Sequence, residues 1–288
     1  MNAILSNNSS KKRNDLLKVF AMLTMLIDHA GAILFPQLRL LRFIGRLAFP
    51  VFCYQIAVGY EKTSNRDGYL LRILKFACIA QIPYWFLNPN TALENPLHFN
   101  VLFLLALGIV MLNAFTKFKK AYENKSISFL LYLFLFVLII ISPDLLTLFI
   151  PDFTLSYGTY GLLLIFGFYL SKDNMIKMFV FYLIITFICT YTSVALYNSS
   201  HEYWLIDRLN AFSRLMKNPK FVFDTISKYN RGRFLEGYLF QARSILSLFF
   251  IWFFNKFKSS FRLNRYVGYW FYPVHIALLE LINVIINH

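Results

Sequence analysis

Apolar stretches long enough to cross a bilayer recur along the whole chain, and nothing else constrains its fold as strongly. A transmembrane helix needs about 20 predominantly apolar residues. Nine stretches have that character, at roughly 16–35, 41–60, 69–87, 98–115, 127–142, 157–171, 175–197, 237–255 and 266–287. The fifth and sixth are short, and the segment 143–156 between them is apolar enough to dip into the membrane. With 58% hydrophobic and only 15% charged residues, a soluble domain of 288 residues could not hide its apolar surface. The expected fold is an all-α integral membrane protein, a polytopic helical bundle of about nine transmembrane helices. It forms a single domain over 1–288, with a basic cytoplasmic tail at 1–14 and a basic amphipathic loop insert at 199–236.

The loops carry the charge. The formal net charge of +15 would suggest nucleic acid in a soluble protein, but here Lys and Arg mark cytoplasmic loops and meet anionic lipid headgroups. No nucleic-acid partner is expected, because no basic repeat or RNA-type aromatic motif accompanies the charge. Positive loops at Lys11–Arg13, Lys62 and Arg66, Lys117–Lys125, Lys172 and Lys177, and Lys256–Arg265 alternate with loops whose charges are Glu94, or Asp144 and Asp152. That alternation predicts an N-terminus inside and a C-terminus outside. Two features resist it. Arg39 and Arg42 fall at the first outer turn, and the outer loop 199–236 holds seven basic residues. Ala30-Gly31-Ala32 imitates a signal-cleavage site, but Asp28 and His29 interrupt the apolar run before it, so no cleavage is expected. Cys53, Cys78 and Cys189 are odd in number and scattered through apolar segments. They read as small buried hydrophobes, and neither a disulfide framework nor a metal site is expected.

Ionisable groups inside the bilayer cost roughly 2.5 to 3.5 kcal/mol each on insertion scales, so each is a functional hypothesis. The first span holds Asp28-His29, the second Arg46, the eighth Arg243, and the last His275 and Glu280. Lys18 and His29 are eleven residues apart, close to three helical turns. They share a face about 16 Å apart, with Lys18 at the cytoplasmic mouth and His29 near mid-membrane. Asp28 is turned about 100° from His29 and must meet another helix. Arg46, entering from the outer side at similar depth, is its expected partner. His275 lies at the depth of His29, so the two histidines could meet near the midplane. Blander readings stand beside these. His275 can be a packing residue, Arg46 and Arg243 can be ion-paired or snorkelling scaffold, and Glu280 can cap a polar seam.

The residues around these groups resemble the TraX family, whose founding member N-acetylates conjugative pilin. Leu17-Lys18-Val19-Phe20-Ala21-Met22-Leu23-Thr24-Met25-Leu26-Ile27-Asp28-His29-Ala30-Gly31 is similar to the family's opening signature, and Ile44-Gly45-Arg46-Leu47-Ala48-Phe49-Pro50-Val51-Phe52 to its second-span signature. Gln81-Ile82-Pro83, Asn100-Val101-Leu102-Phe103, Tyr157-Gly158-Thr159-Tyr160-Gly161 and Phe271-Tyr272-Pro273-Val274-His275 follow in the family's order. Two features depart from the pattern. Ser156 stands where the family has an acidic residue, and the basic insert is longer.

The resemblance implies a membrane acyltransferase that draws on acetyl-CoA and modifies an amine or hydroxyl of an envelope protein or glycan, such as a pilin N-terminus. The wider membrane acyltransferase group carries a basic residue, ten intervening residues and a His in an early span, a spacing that Lys18 and His29 fit. On that reading Lys18 attracts donor phosphate and His29 is general base, with a covalent acyl-His intermediate left open. Arg46 and His275 stabilise the oxyanion or orient the acceptor, Asp28 belongs to the same cluster, and Tyr272, Asn100 and Gln81 bind substrate. Two readings of other classes remain: a proton-coupled transporter relaying through Asp28, His29, His275 and Glu280, and a noncatalytic assembly protein of a conjugation or pilus system.

Overall fold

The computed structural model describes residues 15–86, 96–150, 152–197, 242–257 and 259–287, with four positions between 213 and 220. The basic tail 1–14, Glu94, most of the insert 199–236, residues 237–241 of the eighth stretch and Lys258 lie outside the described residues.

The described chain is almost wholly helical. Helix α1 spans Leu16–Ile33, α2 Arg39–Gly45, α3 Ala48–Lys62 and α4 Arg66–Phe86. After the two-residue strand β1, His98–Phe99, come α5, Val101–Glu123, and α6, Ser128–Phe149. A second short strand, β2, Thr154–Leu155, precedes α7, Gly158–Ser171, and α8, Met175–Tyr197. A 3-10 turn over Ala242–Leu246 leads into α9, Ser247–Lys256, and α10, Arg265–Asn287, closes the chain.

The apolar stretches became helices, with instructive differences in extent. The second is broken at Arg46 and Leu47. Pro50 lacks the amide that would bond the Arg46 carbonyl, and its ring crowds that carbonyl, so the helix must restart there. The fourth begins at Val101 rather than 98, because Asn100 caps it: its side-chain oxygen accepts from the Leu102 amide at 3.0 Å. The fifth runs on through Pro143 to Phe149, so residues 143–149 extend the helix instead of forming a separate dip. Of the eighth, the described residues form a 3-10 turn followed by an α-helix of ten residues, about 15 Å long.

Among the described residues, five segments are long and apolar enough to span: α1, α2 with α3, α5, α6 and α10. Helix α7 and the first part of α8 are apolar but shorter, and α4 carries Arg66, Asp67, Arg72 and Lys75 in its first ten residues. The chain is therefore a helical membrane protein, with five described segments long and apolar enough to cross by length and composition and further apolar helices packed among them.

Helices α3, α5 and α7 form the centre, where Val51, Tyr60, Leu104, Ile109, Leu162 and Ile165 have no exposed surface. Helix α6 is the most apolar span yet only 6% of its window is buried, so Leu130, Phe134 and Val137 face outward as lipid-contacting residues do. In α1 the buried positions Leu17, Ala21, Met25 and Asp28 recur at helical spacing, which turns the Asp28 carboxylate into the bundle. Strands β1 and β2 pair in parallel, His98 opposite Thr154 and Phe99 opposite Leu155, and so tie the start of α5 to the start of α7. The three cysteines form no disulfide among the described residues; Cys53 is buried as expected, whereas Cys189 is half-buried and Cys78 is exposed on α4.

Lys62 from the end of α3, Arg72 from α4, Lys256 from the end of α9 and Arg265 from the start of α10 line one cavity, so the basic loops gather at one end of the bundle. The pairing of β1 with β2 lies at the other termini of α4, α5 and α7. In a protein with Cys53, Cys78 and Cys189 replaced, a cysteine at 62 or 119 should resist an impermeant external thiol reagent in intact cells, and one at 152 should react. The opposite labelling pattern would invert the orientation.

Candidate active site

The break in the second span sets the geometry of the site. Gly45, just before it, packs directly on Asp28, where an added Cβ would overlap the Asp28 side chain. This contact lets α2 lie against α1 and brings Arg42 and Arg46 to the carboxylate. Arg42 Nη1 donates to Asp28 Oδ2 at 2.7 Å and to the Asp28 carbonyl at 3.2 Å. Arg46 Nε lies 3.8 Å from Asp28 Oδ1. The expected Asp28–Arg46 pair is present as the longer contact, and Arg42, which the sequence reading did not pair with Asp28, makes the shorter one. The Arg42 that contradicted the charge pattern of the loops is no loop residue in function, because its charge is spent inside the bundle.

Arg46 Nη1 donates to the Tyr157 hydroxyl at 2.9 Å. Tyr157 stacks on Phe49, ring centres 3.5 Å apart and 5° from parallel. Its backbone is held at φ +66°, in the left-handed region that a bulky residue rarely adopts, and Gly158 follows at φ +43°. Strain of this kind persists where surrounding contacts over-determine it; here stacking and the arginine hold the phenol in place.

His29, turned away from Asp28, faces α10. Its Nδ1 lies 2.6 Å from His275 Nε2. The two rings are 8° from parallel with centres 4.9 Å apart, which sets them edge to edge as a ring-to-ring hydrogen bond requires. His275 Nδ1 in turn lies 2.6 Å from the Phe271 carbonyl. The carbonyl can only accept, so that nitrogen carries the proton. Both nitrogens of His275 are then engaged, which leaves it no N–H for the oxyanion role the sequence suggested. Tyr272 presents its ring edge to His29 with centres 6.1 Å apart and is 5% exposed.

Gln81 and Asn100 come together, but as a structural lock. The Asn100 amide nitrogen donates to the Ala77 carbonyl at 2.9 Å and to Gln81 Oε1 at 2.8 Å, and Gln81 Nε2 donates to the His98 carbonyl at 2.8 Å. They fasten β1 and the start of α5 to α4. Ser156, in the acidic residue's place, donates to the Phe99 carbonyl at 3.0 Å and contacts the Tyr84 hydroxyl at 3.0 Å. Tyr84 also reaches His98 Nε2 at 3.2 Å. Burial lowers the pKa of His98, which precedes the α5 span, and so favours its neutral form.

Lys18 and His29 both face α10. The Lys18 ammonium packs on Gly268 and lies 5.5 Å from the centre of the Tyr269 ring. Lys18 lines a cavity of about 1090 Å³ at the basic end of the bundle, with the cations Lys62, Arg72, Lys256 and Arg265 and the carboxylates of Asp15 and Asp173. Sequence reading missed this cavity, since its residues come from six separate helices and loops. Tyr54 donates to Asp173 Oδ1 at 2.6 Å and accepts from Asn255 at 2.7 Å on its wall. Its deep wall includes Phe52 and Leu102, which pack on the cluster of Met25, Ala48, Tyr272 and Ile276. Tyr272 therefore links the cavity wall to the histidine pair.

These features define a class: a polytopic membrane protein with a buried, hydrogen-bonded ionisable core above a basic cavity. The profile of the family described as TraX protein matches residues 13–218, more than half of the chain, and the chain belongs to that family. It is 35% identical over 106 residues to a probable fimbrial assembly protein, FimC, of Dichelobacter nodosus serogroup H1, covering 33% of this chain and 43% of that protein. It is 42% identical over 64 residues to an uncharacterized protein of Rickettsia prowazekii, covering 22% of this chain and 25% of that one. The matched segments thus span less than half the length of either relative. No solved structure matches.

Two stability predictions follow from the ion pair. Arg42→Gln leaves Asp28 with only the longer Arg46 contact. It should lower the thermal unfolding midpoint in detergent, with a loss near or below the low end of the about 3–5 kcal/mol seen when a buried pair is broken, because Arg42 is 30% exposed. Adding Asp28→Asn should recover part of that loss. Gly45→Ala should cost about 1–3 kcal/mol by overpacking, read as a lower unfolding midpoint in the same measurement.

Proposed function

We propose that the protein is an acyltransferase of a bacterial cytoplasmic membrane. It moves an acetyl group from acetyl-CoA to an amine or hydroxyl of an envelope acceptor such as a pilin N-terminus. The observation that carries the proposal is the hydrogen-bonded His29–His275 pair, part-buried in the bundle and linked through Tyr272 to the wall of a basic cavity. Membership of the TraX family supports the reaction class, and the fimbrial assembly name of one relative supports a pilus acceptor.

On this reading the basic end of the bundle faces the cytoplasm. Five cationic side chains in the cavity suit the phosphates of an acyl-CoA, and about 1090 Å³ is ample for a drug-sized or larger ligand. The pantetheine arm would run along Phe52 and Leu102 toward His29. His29 takes a proton from the acceptor as its nitrogen or oxygen attacks the thioester carbonyl. The new C–N or C–O bond forms, the C–S bond breaks, and the departing thiolate recovers the proton from the imidazolium. Arg42 and Arg46 together outnumber the Asp28 carboxylate, and the positive excess that they hold near His29 would stabilise the oxyanion.

Purified protein in vesicles, given labelled acetyl-CoA and a synthetic pilin N-terminal peptide, should transfer label, and His29→Ala should abolish transfer without reducing membrane insertion. Lys18→Gln should raise the acetyl-CoA KM with a smaller change in kcat, since a phosphate contact acts alike in ground and transition states. Lys18→Arg should be milder. Gradient-driven uptake without label transfer would favour a transporter, and neither activity would favour an assembly role without catalysis.

A further inference from the structure

The polar contacts of the two histidines form a directed chain, and its direction can be read from its end. The Phe271 carbonyl has only lone pairs to offer, so the 2.6 Å contact with His275 Nδ1 places the proton on that nitrogen. A neutral imidazole carries one N–H, so His275 Nε2 is an acceptor. The 2.6 Å contact to His29 Nδ1 then requires the proton on His29. The second nitrogen of His29, Nε2, is left with its lone pair and no proton. The reverse chain would need a doubly protonated His275. That extra cation would sit beside a cluster in which two guanidiniums, Arg42 and Arg46, already face one carboxylate, Asp28.

We propose that His275 is a positioning residue: it holds His29 in the Nδ1–H tautomer and orients its ring, which makes His29 Nε2 the nitrogen that takes the acceptor's proton. This deepens the acyltransferase reading and rests on it for the kinetic part alone. When His29 Nε2 gains a proton, its Nδ1–H becomes part of an imidazolium and the bond to His275 becomes charge-assisted. The bond therefore strengthens only as the proton is transferred, the condition under which an interaction raises kcat. A carboxylate often orients a catalytic histidine. Here the only carboxylate nearby in sequence, Asp28, is turned to the arginines, and a second imidazole takes the orienting place without adding negative charge. The groups around His29 are Tyr272 and His275 of α10, with the charges of Arg42 of α2 and Arg46 at the helix break acting on it and Tyr84 and Tyr157 beyond Tyr272, while Asp28 of its own helix is turned to the arginines.

The tautomer is testable without any activity. Protein labelled with ¹⁵N at histidine, with His29→Gln used to assign the His29 signals, should show His29 protonated at Nδ1 in the wild type. In His275→Leu it should revert to the Nε2–H form that free histidine prefers. A wild-type His29 carrying its proton on Nε2, or a tautomer unchanged in His275→Leu, would overturn the proposal whether or not the protein transfers acyl groups. In the transfer assay, His275→Leu should lower kcat about tenfold to a hundredfold, the usual cost of losing an orienting partner, with the acetyl-CoA KM kept. The acid limb of the kcat profile should move to lower pH, because the lost acceptor had favoured the imidazolium. His275→Gln keeps an acceptor oxygen near the Nε2 position; it should fall between the two and guards against a leucine variant that misfolds. Unchanged kcat and pH profile in folded His275→Leu would remove the positioning role. Wild-type protein showing the Nδ1–H tautomer but no transfer would count against the acyltransferase reading and leave the tautomer assignment standing.

Discussion

A carboxylate carried into the interior of a membrane bundle must meet a cation, and the packing of the first three helices follows from how Asp28 does so. Helix α1 turns Asp28 inward with its apolar face. Pro50 then interrupts the next span, and the interruption gives α2 its own direction against α1. Gly45 allows contact without a side chain in the way, and Arg42 arrives at 2.7 Å. A single uninterrupted second span would carry Arg42 and Arg46 along one axis; the break lets both converge on one residue. Desolvation makes either charge costly alone, so the pair holds the two segments in register as much as it stabilises them.

The same helix separates two kinds of chemistry by rotation. Adjacent residues on a helix are about 100° apart, so Asp28 and His29 cannot serve one partner. Asp28 belongs to the arginine and Tyr157 side, where strained backbone and ring stacking hold a phenol against a guanidinium. His29 belongs to α10, where its partner is neutral. Between them the bundle keeps a fixed positive excess beside an imidazole pair, an arrangement suited to a reaction that develops negative charge on oxygen while moving one proton.

The basic cavity lies one layer away, joined to the histidines by Tyr272, which packs with Met25, Ala48 and Ile276. Lys62, Arg72, Lys256 and Arg265 give the cavity a cationic lining, while the histidine pair lies beside the apolar cluster around Tyr272, a surrounding in which dipoles and charges act more strongly. Gln81 and Asn100, which looked like ligand-binding amides, instead fix the ends of α4 and α5 that frame this wall.

The sequence by itself determined the class of fold, since only helices satisfy their backbone in lipid and the apolar lengths are local facts. It also determined the depth and facing of Lys18, Asp28 and His29, because helical rise and rotation are fixed, and it singled out His275 as lying at the level of His29. The family signatures were legible for the same reason: they are contiguous. Which arginine meets Asp28 was decided only by the tertiary structure, since Pro50 redirects a helix that periodicity alone would continue. So were the spent nitrogens of His275, which depend on a carbonyl one turn back and a ring 246 residues away. The basic cavity is tertiary in the same sense: six helices and the turn at Asp173 converge there, and no spacing along the chain encodes a convergence that arises only when the helices pack.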